Sequence, residues 1–128
     1  MPGSDPAHWL HRLTAEEWLA AAATEIEHAE AALSRRAVRP GVTHARRAAG
    51  MAWNAVLTVH PDERSGRSYM EHLVALAGDD TAPDEIRAAA QRLRDTPAAP
   101  PALVTLGKPD LAPAQAARTI LDHARRLV

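Results

Sequence analysis

The run THARRAAGMAWNAVLTVH (Thr43–His60) carries the clearest helical signal in the chain. At helical period, Val42, Ala45, Ala49, Ala52, Trp53 and Val56 share one face. Arg46, Arg47, Gly50, Asn54 and Thr58 fall on or beside the other. The inward side is slim, mostly Ala with one large ring. Small residues let neighbouring backbones approach closely. The stretch therefore reads as the central stave of a helical bundle, with Trp53 filling the widest gap.

Outward from this helix, the chain supplies its own punctuation. Asp5-Pro6 reads as the start of a short N-terminal helix carrying His8, Trp9, Leu10 and Leu13. Thr14-Ala15-Glu16-Glu17 is a capping box that opens a long helix reaching about Arg36, with Leu19, Ala22, Ala23, Ile26, Ala29 and Leu33 inward. Pro40-Gly41 is read as the break before the central helix. Pro61 to Gly66 is a turn. A shorter helix covers Ser68–Ala77 on Met70, Leu73, Val74 and Ala77, and stops at Gly78. Thr81-Ala82-Pro83-Asp84 starts a helix running to about Arg94 on Ile86, Ala89, Ala90 and Leu93. From Asp95 to Ala112 four prolines preclude a helix, and Ala102–Leu106 is apolar enough to lie extended across the bundle. A final helix begins near Pro113 and uses Ala117, Ile120, Leu121, Ala124 and Val128.

Composition sets limits on function. The 128 residues suit a single domain spanning 1–128. Cysteine is absent, which removes disulfides, thiolate metal sites and a cysteine nucleophile. The formal net charge of −1 provides no global field toward DNA or an anionic membrane. Of 15 basic residues only Lys108 is lysine, in keeping with the Ala- and Pro-rich composition of a GC-rich genome. No apolar run approaches the ~18 residues of a membrane span, and the N-terminus lacks the pattern of a signal peptide. A cytoplasmic protein is expected.

Ala45-Arg46-Arg47-Ala48-Ala49-Gly50-Met51-Ala52-Trp53-Asn54-Ala55-Val56-Leu57 resembles the second-helix signature of HEPN domains, roughly A-Q-Q-A-A-E-K-A-L-K-A-L-L. The likeness lies in spacing and small residues; Arg46-Arg47 and Gly50-Met51 replace the usual Gln-Gln and Glu-Lys. Tyr69–Leu76 is similar to that family's third helix, and Gly107-Lys108-Pro109-Asp110 stands where R-Y-P-D is common. Ala112–Ala117, ending in Asp122–Leu127, is similar to the closing helix. The resemblance implies an all-α, up-and-down bundle of four to five helices. It also implies a homodimer, with a nucleotidyltransferase-type protein partner or a nucleotide or RNA ligand.

Ribonuclease members of that family carry R-x(4–6)-H, the Arg on a phosphate and the His in acid–base work. Three spacings fit: Arg39…His44, Arg67…His72 and Arg118…His123. All depart from the active pattern, having Pro40, Ser68 and Thr119 after the Arg. Arg118 and His123 diverge by about 140° on a continuous helix. Arg67 and His72 are thus the candidate catalytic pair. Arg39, His44, Arg46 and Arg47 are the candidate phosphate ligands, near a helix start. In an up-and-down bundle Asp79, Asp80, Asp84 and Glu85 would lie at the same end and neutralise this cluster.

His8 and His11, and His28 with Glu25 and Glu27, could ligate a metal. His28 however points about 180° from the inward face of its helix, and no third ligand is evident beside His8 and His11. They read as solvated histidines, with no metal or other cofactor. The resemblance, together with the departures from the catalytic pattern, thus implies a non-catalytic HEPN-like binding or regulatory module. A metal-independent endoribonuclease and a purely structural interaction bundle are the alternatives. Trp9, Leu10, Leu13 and Trp18, with Leu103, Val104 and Leu106, are expected to leave an apolar patch that forms a two-fold dimer interface.

Overall fold

The computed structural model describes residues 9–97 and 107–128. Five α-helices follow in order: α1 Ala15–Ser34, α2 Val38–Val59, α3 Tyr69–Ala77, α4 Asp84–Asp95 and α5 Ala112–Leu127. Short 3-10 turns occupy Leu10–Arg12 and Glu63–Ser65, and the described residues contain no strand. The chain is an all-α bundle. The expected N-terminal helix is represented in the described residues only by the first of these turns. Ala102–Leu106 lies outside the described residues.

Local chemistry explains the boundaries. Thr14 accepts from the Glu17 backbone and Glu17 returns the bond to Thr14, the anticipated capping box. Ser68 and Glu71 repeat this at α3. α1 ends at Ser34 rather than Arg36. Arg36 takes a left-handed φ of 64°, while the Arg36 and Ala37 amides donate to Leu33 and Ala32. This is a Schellman stop with arginine where glycine is usual. Pro40-Gly41 does not break the chain either. Both residues sit in the first turn of α2, where a missing N–H deprives the helix of nothing.

α2 is the central stave. Gly41, Val42, Ala45, Ala48, Ala49, Gly50, Ala52, Asn54, Ala55, Val56 and Leu57 are all buried, so the helix is enclosed on most of its circumference. Its core continues through Ile26 and Leu33 of α1, Leu73 of α3, Ile86 and Leu93 of α4, and Ile120 and Leu121 of α5. The α4 positions match the periodic reading. Two other readings do not hold. Trp53 is only half-buried at the edge of the core. In α3, Met70 and Val74 are 39% and 53% exposed while His72 and Leu76 are buried, so that helix is rotated from the expected phase.

Two glycines permit the close approaches. A Cβ on Gly41 would stand 2.6 Å from Leu33 Cγ, and one on Gly50 would overlap the Tyr69 side chain. Gly50→Ala should therefore cost about 1–3 kcal/mol through overpacking, although Ala is intrinsically the better helix former by ~1 kcal/mol. Thermal denaturation checks this; a stabilised variant would show that Tyr69 yields.

The direction of α3 positions everything that follows. Tyr69 lies against Gly50, His72 bonds Asn54, and Leu76 shares a cleft with Val56 and Leu57. α3 thus runs alongside the second half of α2 in the same sense, after residues 60–68 double back. The Gly78–Asp84 junction consequently lies at the carboxyl end of α2. It does not reach the arginines near the start of that helix, and the expected neutralisation by Asp79, Asp80, Asp84 and Glu85 does not occur there.

The N-terminal apolar residues also settle inward. Leu10 and Trp18 are buried, and the Trp18 indole N–H donates to the Leu10 carbonyl at 2.8 Å. Trp9 stacks on His72. Leu10 and Trp18 thus belong to the chain's own core, while Trp9 and Leu13 stay partly exposed; Leu103, Val104 and Leu106 lie outside the described residues.

Candidate functional site

His72 lies in the first turn of α3, packed against α2 and fully buried. Its Nδ1 is 2.7 Å from the Ser65 carbonyl and its Nε2 is 2.7 Å from the Asn54 side-chain amide. Burial pushes its pKa down, against the opposing influence of the Ser65 bond and Glu71. Arg67 is exposed on the connection before α3, its backbone N–H donating to Glu71. The two residues do not converge on one open surface. In this arrangement the imidazole has no path to a substrate phosphate and acts as a polar rivet between α2, α3 and the Ser65 turn.

The arginine group near the start of α2 is dispersed. Arg46 Nε donates to the Leu93 carbonyl at 2.8 Å and its NH2 group to the Thr96 carbonyl at 2.6 Å, closing the carboxyl end of α4. Arg47 and His44 turn to Glu25 of α1, at 3.3 and 2.5 Å. Arg39 is exposed. Three of the four proposed phosphate donors are therefore committed to carbonyls or a carboxylate. The third spacing also separates: Arg118 pairs with Glu30, whereas His123 stacks on Trp53 with ring centroids 6.3 Å apart. Burial and then Arg126 push the His123 pKa down.

A concavity opens elsewhere among the described residues, at the carboxyl ends of α2, α3 and α5. It holds about 690 Å³. Trp53, Val56, Leu57, Leu76 and Leu127 form its apolar wall, and Asp62, Arg64, Asp79 and Asp80 its polar rim. Arg64 binds Asp62 at 3.0 Å. The Thr81 backbone and hydroxyl donate to Asp79. Hydrogen bonds from Arg64 hold Asp62, and hydrogen bonds from Thr81 hold Asp79, below the ordinary carboxylate pKa, so both stay ionised at neutral pH. The His60 ring is 3.1 Å from the Leu127 carbonyl and ties the end of α2 to α5 beside the cleft.

Sequence reading did not find this cleft. Asp62, Asp79 and Asp80 register in a sequence as turn formers, and only the reversed connection into α3 makes them neighbours. Compared with family models, curated proteins and solved structures, the chain matches none. No helix among the described residues is long and apolar enough to cross a membrane.

Proposed function

We propose that the chain is a non-catalytic, HEPN-like binding module that takes a small organic cation, an amine or guanidinium, in the cleft beside Trp53. The residue pattern of the central helix supports the HEPN-like reading; the expected up-and-down order is departed from at α3, which runs in the same sense as α2. The observation that carries the ligand class is the charge around the cleft. Three carboxylates and one guanidinium line the cleft, with Arg87 pairing with Asp80 at 3.6 Å from outside the lining. The carboxyl ends of α2, α3 and α5, each a partial negative charge, point the same way. The amino end of α4 is the opposing pole, and Asp84 and Glu85 cover it. Such a rim repels a phosphate and attracts a cation, while the indole face of Trp53 offers a cation–π partner. A nucleotide or RNA ligand would instead need the arginines near the start of α2, which hold α4 and Glu25.

Agmatine, titrated at low salt, is a suitable probe. A saturable change in indole fluorescence is expected, absent in Trp53→Phe. Asp62→Asn and Asp80→Asn should each weaken binding roughly fivefold, the equivalent of about 1 kcal/mol of attraction at 4 Å in water. A flat titration, or equal affinity in both carboxamide variants and the parent, would reject the reading.

A further inference from the structure

A second cluster lies on the opposite side of α2 from the cleft rim, where the alanine seam brings α1 and α2 together. Glu25 and His28 stand one turn apart on α1, and the close packing of α2 adds His44. The Nδ1 atoms of both histidines converge on one carboxylate oxygen. His44 Nδ1 is 2.5 Å from Glu25 Oε2, and His28 Nδ1 is 3.8 Å from the same atom. The three donor atoms lie within 4.8 Å of one another. The rings meet edge to face with centroids 5.2 Å apart. Arg47 donates to the other carboxylate oxygen, Oε1, at 3.3 Å.

We propose that Glu25, His28 and His44 form a three-ligand site for a divalent ion of the zinc class, with the fourth position open to solvent. The donor set is two imidazole nitrogens and one carboxylate oxygen, which suits a borderline ion with four ligands. Calcium and magnesium prefer oxygen ligands in larger number. Zinc bonds of about 2.0–2.1 Å in a tetrahedron place donors roughly 3.3 Å apart. The observed 2.5 and 3.8 Å fall either side of that separation. Small rotations suffice, and they fall mostly on His28, whose side chain is 56% exposed.

The present contacts are the proton-filled form of the same site. Binding replaces the proton held between His44 and Glu25 with the metal. Arg47 keeps Oε1 engaged and leaves Oε2 for the ion, so the carboxylate binds through one oxygen. Burial favours a neutral Glu25, but hydrogen bonds from His44 and Arg47, and then their charges, outweigh it and lower its pKa. An ion here would also clamp α1 to α2.

The test is zinc chloride titrated into the tag-free chain by calorimetry, with melting temperature followed in parallel. One equivalent is expected to bind and to raise the melting temperature. His28→Ala, at an exposed position that leaves the helices intact by circular dichroism, should weaken zinc at least about tenfold and abolish the thermal shift. Glu25→Gln should do the same. Cobalt(II) should show the visible absorption of a four-coordinate ion, lost in His28→Ala. Absence of saturable uptake overturns the proposal, as does uptake of equal affinity in the parent and His28→Ala.

Discussion

His72→Ala is expected to lower the unfolding free energy by about 3–4 kcal/mol near neutral pH, without removing any surface group. The ring is completely buried, so its loss leaves a cavity beneath Trp9. It also strips partners from the Ser65 carbonyl and the Asn54 amide, each a buried polar group worth roughly 1–3 kcal/mol when orphaned. These losses overlap, which keeps the total below their sum. Urea denaturation measures it, and a loss under about 1 kcal/mol would show that the site collapses onto itself. His72→Asn, which can still donate to Ser65, should recover part of the loss.

The protonation state follows from the same contacts. A carbonyl only accepts, so Nδ1 carries the proton. Burial keeps the ring neutral, which leaves Nε2 as an acceptor. Asn54 must then present its amide N–H to Nε2, with its oxygen turned away, an orientation fixed by the hydrogen-bond logic rather than by atom positions. The folded-state pKa lies below the unfolded value of about 6.5. As pH falls from there, the unfolded chain takes up its proton first, and stability declines toward the folded pKa. Above about 6.5 the contribution is fully present. The carboxylates whose shifts are resolved are lowered from the ordinary carboxylate range. Denaturation curves between about pH 6.5 and 5 should therefore slope more steeply in the parent than in His72→Asn, in which the lowered His123 still contributes. Equal slopes would contradict the buried neutral ring.

The same pair shows where periodicity stops being informative. α4 was legible because its inward residues, Ile86, Ala89, Ala90 and Leu93, are all apolar and its outer face is mostly charged. In α3 a histidine and an asparagine from α2 satisfy each other inside the core. A pattern that sorts residues by polarity places both outside and turns Met70 and Val74 inward instead. Pro40-Gly41 misled for a related reason: its meaning depends on whether it falls inside a first turn or between helices. The candidate sites were less legible again. Arg46 reads as a free cation, yet it spends its donors on the carbonyls ending α4, a partner 47 residues away. His28 reads as solvated, and its convergence with Glu25 depends on His44 arriving from another helix. Such pairings are set by helix direction and packing distance, which no single helix encodes.

Trp18→Ala should be the most damaging single change among the tryptophans, at about 3–5 kcal/mol. Helical periodicity singles out Trp53, because one ring among alanines looks like the filler of a gap. The packing gives that role to Trp18, 3% exposed in α1, while Trp53 lines the cleft and stacks on His123. Trp18 also carries a buried indole N–H whose acceptor, the Leu10 carbonyl, fixes the turn preceding α1. Removing it leaves a ring-sized void and frees Leu10, itself buried, from its anchor. Trp53→Ala leaves space that already communicates with solvent, so water fills it and the cost should be about half as large. Urea denaturation of the two variants side by side decides between these positions. Equal losses, or a greater loss for Trp53→Ala, would return Trp53 to the centre of the core and overturn the packing described for the N-terminal turn.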